Sequence, residues 1–429
     1  MSHLFLVNYK KSYGTILLLI ETNGDYNLFL FIMHKFSLIE QPTEDYIEGQ
    51  EALTYSLNNI ESLLCFSHLR WDFVFQRPQH LMSRAARNWR VFFIEEPIYS
   101  GDIQKPELVV RQQENPDTLF IVVPQLPHGF NPAEINKVLQ DMLARLMFDF
   151  RIEDYGLWYY TPMALKFTAN LMPRVIVYDA MDELSAFKGA SSDLLDMEKI
   201  LFSSADVVFT GGRSLYEAKK QRHSNVYAFP SSIDKKHFMQ GRQLLPEPED
   251  QKDIPHPRLG FYGVVDERFD IELLRELSSR QPEWHFVIIG PVVKISPEEL
   301  PRAENIHYLG MKNYNELPVY LSGWDVALLL FALNESTRFI SPTKTPEYLA
   351  ALKPVVSTPI HDVIVPYEEE GLVSIGRNVE EFEKAIEYAL KQGSDEAWKT
   401  EVDSYLQNIS WDKTWDEMTY LIKQQIADN

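Results

Sequence analysis

Cysteine is nearly absent: Cys65 stands alone among 429 residues. A single thiol excludes an intramolecular disulfide and any zinc site built from several cysteines, and it fits a reducing cytoplasm. Long apolar runs are missing too. No stretch reaches the roughly 18 uninterrupted apolar residues of a membrane span. The nearest, TILLLI (15–20) and LFLFIM (28–33), are short and separated by ETNGDYN. They read as two strands of a hairpin turned at Asn23-Gly24. No small-residue cleavage site follows them, which argues against a secretory signal. Residues 1–58 read as an appendage, with Met33 as an alternative initiator. Positive charge is in deficit: 41 Lys and Arg face 62 Asp and Glu, a net charge of −21. Nucleic acid is therefore a poor partner, since phosphate backbones require clustered Lys and Arg. No Walker A motif is present, which excludes a P-loop enzyme.

What the chain has is alternation. From residue 62 short apolar runs recur: SLLCFS (62–67), VFFIEE (91–96), LFIVVP (119–124), GLWYYTP (156–162), VIVYDA (175–180), DVVFTG (206–211) and VYAFPS (226–231). Rich in Val, Ile, Phe and Tyr, they read as buried parallel strands. Helical patterns such as 78–88 and 192–204 lie between them. This predicts a doubly wound α/β domain over 59–240. Residues 241–257, with four prolines and a cluster of acids, read as an interdomain linker or a long surface loop. The alternation restarts with RLGFYGV (258–264), HFVIIG (285–290), IHYLG (306–310), VALLLF (326–331), PVVSTP (354–359) and LVSIG (372–376). Residues 258–410 thus form a second α/β domain. Trp411, Trp415, Met418, Ile422 and Ile426 fall on one stripe, predicting a final amphipathic helix over 411–429 capped by Ser410.

Two such domains enclose a cleft, and ligands bind at the carboxyl ends of the strands. After VALLLF comes a long polar loop, then SPTKTPEYLAALKP (341–354). Thr345 suits an N-cap and Pro346 the first helical position. That helix start, with Ser341, Thr343 and Lys344 as donors, suits a diphosphate. Glu347 accepts hydrogen bonds from vicinal hydroxyls, as on a ribose. Gly263 lets backbone approach a ligand, and Arg268 just beyond it can clamp a phosphate. Each also has a bland reading, as a turn glycine, a surface arginine and an ordinary capped helix.

At this point GFYG, NIHYLGMKNYNELPVYL and SPTKTPEYLAALKPVVST resemble GT-B glycosyltransferases. The chain is most similar to the bacterial cell-envelope group of the teichuronic-acid type. CFSHLRWDFVFQRPQHLMSR, VIVYDAMDELSAF, FTGGRSLYEAK and FPSSID extend the resemblance over residues 61–429. It implies two tandem Rossmann-like domains facing a cleft. It also implies a metal-independent hexosyltransferase that moves a sugar from a nucleotide-diphosphate donor to a hydroxyl of a polysaccharide or lipid-linked glycan. No cofactor is implied beyond the donor. The helix-start glutamate that holds the ribose maps onto Glu347, the diphosphate contacts onto Lys344 and Arg268, and the donor-sugar region onto Asn334 and Glu335. Two departures stand out. Phe339 occupies the place of the second glutamate of retaining relatives, and Leu352 stands where glycine is usual.

The first domain is expected to supply the acceptor site and the base. Asp182 in the YDAMD segment is the favoured base, as in similar segments of related polysaccharide glycosyltransferases; His128 and His68 are its rivals. Asp179 reads as a base or a cap. Arg70, Arg77, Arg84, Arg87 and Arg90, interleaved with aromatics, read as a patch for an anionic acceptor or a membrane surface, or as solvated helix arginines. Gly211-Gly212-Arg213 reads as an anion nest or as a tight turn capped by Ser214. The expected location is cytoplasmic, at the inner face of the membrane. Two rivals share the donor site: a nucleotide-sugar 2-epimerase, and a non-catalytic donor-binding subunit.

Overall fold

The computed structural model describes residues 60–428 and the backbone of three strands before them. These strands are β1 (Leu4–Leu6), β2 (Thr15–Thr22) and β3 (Asp25–Ile32). β2 and β3 pair antiparallel with Thr22 opposite Asp25, the hairpin that Asn23-Gly24 predicts. They belong to a unit over 1–57, separate from the compact unit over 58–429. The Met33 expectation lies outside the described residues.

The larger unit holds two sheets. The first comprises β4 (Ser62–Ser67), β5 (Arg90–Glu95), β6 (Ile98–Tyr99), β7 (Glu107–Gln112), β8 (Leu119–Leu126), β9 (Tyr155–Tyr159), β10 (Val175–Ala180), β11 (Val207–Thr210) and β12 (Val226–Ala228). Its order is β12-β11-β10-β9-β4-β5-β8-β6, and β7 pairs antiparallel with β8. The second comprises β13 (Arg258–Tyr262), β14 (His285–Ile289), β15 (Ile306–Gly310), β16 (Val326–Leu329), β17 (Val355–Ser357) and β18 (Val373–Ile375), all parallel, in the order β15-β14-β13-β16-β17-β18. Every apolar run read as a strand is one. The edge strands β6 and β7 were not foreseen: ELVVRQ is half-exposed and polar, so it lacks the continuous apolar signature of the central strands.

Strand order reverses between β9 and β4 in the first sheet and between β13 and β16 in the second. Such switch points leave a crevice at the carboxyl ends of the strands. Four helices matter for it: α1 (Arg77–Ala85), α2 (Arg213–Lys219), α3 (Lys344–Ala350) and α4 (Trp411–Asp428).

The closing helix α4 returns to the first half. Trp411, Trp415, Met418, Ile422 and Ile426 are all buried in one cluster with Leu81, Met82, Ala85 and Trp89 from α1 and the segment after it. Burying each such side chain contributes about 1.5–3 kcal/mol. Ser410 caps the helix as expected, its Oγ accepting from the Lys413 N–H at 3.2 Å. Residues 241–257 are not a free linker. Gln251 is fully buried and donates to the Tyr320 carbonyl, while Arg242 forks onto Asp403. Pairing of these polar groups, invisible in composition, draws the segment onto the second half.

Helix α3 departs from expectation at its start. The N-cap is Thr343 and Lys344 is the first helical residue, so Pro346 is the third and Thr345 caps nothing. A proline there is tolerated because the first turn's N–H groups have no intrahelical acceptors. At its end, Leu352 adopts φ +54°. The Lys353 N–H reaches the Tyr348 carbonyl and the Leu352 N–H that of Leu349, which is a Schellman turn. Glycine is the usual residue at this position. Leu352 keeps the backbone at a cost of about 1–2 kcal/mol and packs its side chain on the core.

Candidate active site

A cavity of about 750 Å³ lies on the seam between the two halves. From the second half it is lined by Gly263, Arg268, Ser341, Thr343, Lys344 and Glu347, and from the first by Arg77, Arg84 and Asp182. These predicted residues, hundreds of positions apart in the chain, therefore share one space. Five others do not line it: Arg70, His68, His128, Asn334 and Glu335.

The glycines after β13 and β14 shape the floor. Gly263 and Gly290 both have φ +142°. A Cβ on Gly263 would lie 2.3 Å from Lys344 Cε, and one on Gly290 would lie 1.8 Å from the Gly263 carbonyl oxygen. Two strand ends thus approach closely enough for the lysine to lie across them. The Lys344 ammonium sits 5.7 Å from the Phe261 ring centre and 5.8 Å from that of Phe331. Among the described residues no carboxylate lies within ion-pair distance of it. Burial, then the neighbouring Arg268 charge, pulls its pKa down from the ordinary lysine value.

Glu347 is buried one turn along α3. Its Oε2 accepts from the Tyr262 hydroxyl at 2.5 Å, and the Tyr262 N–H in turn donates to the Tyr348 hydroxyl at 3.0 Å. Burial raises its carboxyl pKa, partly offset by the Tyr262 hydrogen bond and Lys344. Tyr262 is a site residue that the sequence reading missed. Its signal was the tyrosine inside GFYG, passed over in favour of the flanking glycines.

Arg268 forks onto Asp266, with contacts of 2.7–3.2 Å. Its charge still reaches Asp182 across the cavity. Asp182 follows β10 and has a pKa raised to about 6 by burial, against the pull of Arg268, Arg77 and Lys344. Asp179 has a different task. It is fully buried and held in a two-point pair with Arg77, at 3.0 and 2.9 Å. It is neither base nor cap.

The basic patch expected of the first half is not a free surface. Arg77 is 2% exposed and pairs with Asp179. Arg70 pairs with Glu95 at 2.9 Å, and Arg84 and Arg87 share Asp412 at 3.0 and 2.7 Å. Arg90 donates to the Phe150 carbonyl. Each cation meets a fixed acceptor that folding brings from far along the chain.

The rival bases also move out. His128 is exposed beside Tyr99, and His68 is a packed histidine whose pKa burial lowers to about 4. Asn334 caps the turn that follows it, through its side chain and the Thr337 N–H, and donates to the Glu267 carbonyl. The Glu335 side chain is 80% exposed. The polar loop folds outward here because Asn334 closes a local turn. Other residues that the sequence left unmarked line the cavity: Tyr314, Asp234 and His237, whose ring stacks on Tyr314 at 4.4 Å.

The nest at Gly211-Gly212-Arg213 is filled from within. The Asp362 carboxylate, from the second half, accepts from the Arg213 N–H at 2.8 Å and the Ser214 N–H at 2.9 Å. A Cβ on Gly212 would lie 2.2 Å from the Asp362 Oδ2. Ser214 caps nothing, and its hydroxyl is unpartnered. Ser231 donates to the Ser341 carbonyl and Ser336 to the Ala186 carbonyl, so the halves are joined by polar contacts at several points. Among the described residues no group of three or more His, Cys, Asp or Glu is arranged to hold a metal. No helix among them is long and apolar enough to cross a membrane.

This geometry agrees with three comparisons. The family model described as glycosyl transferases group 1 matches residues 257–392, the half that carries Gly263, Arg268, Lys344 and Glu347. The chain is 30% identical over 147 residues to the "Putative teichuronic acid biosynthesis glycosyltransferase TuaH" of Bacillus subtilis (strain 168). That match spans 33% of this chain and only 36% of the relative. The solved sucrose-phosphate synthase of Thermosynechococcus elongatus superposes with a TM-score of 0.62 at 16% identity, covering 86% of this chain and 100% of that one. A trehalose-phosphate synthase of Burkholderia xenovorans, solved with glucose-6-phosphate, gives 0.62 at 10% identity over 85% of this chain and all of its own. HepE of Anabaena, solved with UDP, gives 0.59 at 12% over the same shares. Residues 257–392 are thus a glycosyl transferases group 1 domain, set in a chain with the GT-B fold.

Proposed function

We propose that this protein is a glycosyltransferase that moves a sugar from a nucleotide-diphosphate-sugar donor to a hydroxyl of a cell-envelope polysaccharide or lipid-linked glycan. The observation that carries the reading is the pair on α3. Lys344 lies across the glycine floor with no counter-ion, and Glu347, one turn on, is fixed by Tyr262 through one oxygen. An unpaired cation beside an acceptor-only carboxylate matches a diphosphate joined to a ribose. HepE, a solved neighbour of the same fold, holds UDP, which supports this donor class.

In this reading Tyr262 aims the free Glu347 oxygen at the ribose hydroxyls. Lys344 and Arg268 meet the negative charge that grows on the diphosphate as its bond to the sugar breaks. Asp182, across the cavity, takes the proton of the acceptor hydroxyl as the new glycosidic bond forms. A carboxyl with pKa about 6 is mostly ionised at neutral pH, yet is a stronger base than an ordinary aspartate. The two lysine and arginine charges do the work that a metal ion performs elsewhere, so the reaction is proposed to need none, and the sugar to be a hexose. The single buried thiol, Cys65, is consistent with a cytoplasmic setting.

A thermal-shift screen of the full chain against a panel of nucleotide sugars tests the donor class. One nucleotide sugar is expected to raise the midpoint in a concentration-dependent way. No shift with any of them would overturn the proposal. Conversion of the stabilising donor in the absence of acceptor would replace transfer by epimerisation.

A further inference from the structure

A second cavity, of about 250 Å³, opens on the seam next to the Asp362 contact. It shares only Ser231 and Ser341 with the larger one. Its walls come from three places: Arg213 and Ser232 in the first half, Tyr367 and Tyr405 in the second, and Asn408, Lys413 and Glu417 around the start of α4. The volume lies just under the roughly 300 Å³ at which pockets for drug-sized ligands begin.

Three features mark it as more than a gap. The Arg213 and Lys413 side chains, both exposed to this space, make no hydrogen bond or ion pair among the described residues. For Arg213 this is unusual, since most other arginines among the described residues are matched to an acid or a carbonyl. Ser232 lines this cavity, is 2% exposed as a residue, and its hydroxyl has no partner. A buried hydroxyl left unmatched costs free energy that a ligand can recover. The negative groups present do not explain the cations. Asp362 is held by two backbone N–H groups, and Glu417 contacts neither Arg213 nor Lys413 within ion-pair distance.

We infer that this cavity binds a small phosphorylated polyol, of the size of a hexose monophosphate, at a site distinct from the donor. Arg213 and Lys413, which both line the cavity, hold the phosphate. Ser232, Asn408 and Glu417 pair with hydroxyls, which a bare phosphate lacks. Because Arg213 belongs to the first half and Tyr367 and Tyr405 to the second, an occupant ties the halves together beside the Asp362 contact.

Calorimetric titration of the full chain with a hexose monophosphate and, separately, inorganic phosphate tests this. Wild type and Lys344→Ala are both expected to bind the hexose monophosphate saturably, and more tightly than inorganic phosphate. The Arg213→Gln/Lys413→Gln variant, altered at exposed side chains, is expected to bind it at least about tenfold more weakly, the loss of one or two charge-assisted bonds. Three results would overturn the inference: no saturable binding to wild type, loss of binding in Lys344→Ala with retention in the double variant, or equal affinity for both ligands.

Discussion

Arg77 and Lys344 line the same cavity and each carries one positive charge, yet they are held in opposite ways. Arg77 is locked by two bonds to Asp179 and a third to the Phe229 carbonyl at 2.7 Å. Lys344 lies over two aromatic rings with no carboxylate in reach. A cation already neutralised holds the fold; one kept without a partner is ready for a ligand. The same contrast separates Arg70, Arg84, Arg87 and Arg90 from Lys344. It also separates the filled nest at Gly211-Gly212 from the unpaired Arg213 side chain beside it.

The largest expected effect breaks the structural member of the comparison. Arg77→Ala strands a buried carboxylate, which costs about 3–5 kcal/mol. Chemical unfolding should show this as a lower midpoint. Lys344→Ala should do the reverse, leaving the unfolding midpoint near wild type while lowering kcat/KM by roughly 10²–10³-fold, the scale for one lost transition-state donor. If Arg77→Ala folds with wild-type stability, or Lys344→Ala unfolds like it, the distinction fails.

Legibility in the sequence followed the same divide. The central strands, the hairpin and the stripe of α4 were visible because their patterns are local. Lys344 and Glu347 were visible because they are three residues apart. The pairing of the arginines was not visible because their partners are remote: Glu95 lies 25 positions from Arg70, Asp179 102 from Arg77, and Asp412 328 from Arg84. No window on the sequence shows that a charge is already matched. Asn334 and Glu335 failed for another reason: a local capping turn rotates them out of the cavity.

Smaller effects sharpen the picture. Asp182 should set an acid limb in kcat/KM. Its folded pKa, about 6, lies above the ordinary aspartate value of 3.8, so activity should fall about tenfold per unit below pH 6 as the base is protonated. The stability term has the opposite sign. Between those two pKa values the folded state binds more protons, so this group's contribution declines as pH rises from about 4 to about 6. Asp182→Asn should therefore abolish transfer, spare donor binding and unfold no earlier than wild type at pH 7. A variant that transfers at the wild-type rate rejects the base.

Gly263→Ala should weaken donor binding by displacing Lys344, since the new methyl would lie within 2.3 Å of its Cε. Nucleoside-diphosphate titration measures it, and unchanged affinity would show that the lysine acts from elsewhere. The smallest effect belongs to the surface pair. Arg87→Ala breaks its pair with Asp412, in which the two side chains are 62% and 56% exposed, and should shift stability by only about 0.2–1 kcal/mol with no change in donor affinity.

The central claim is that Lys344 and Glu347 hold a nucleotide diphosphate, and calorimetric titration of nucleoside diphosphates into wild type and Glu347→Ala tests it most directly. One diphosphate should bind wild type saturably and bind Glu347→Ala at least about tenfold more weakly, the loss of a charge-assisted hydrogen-bond pair. Equal affinity for the two proteins would contradict the assignment.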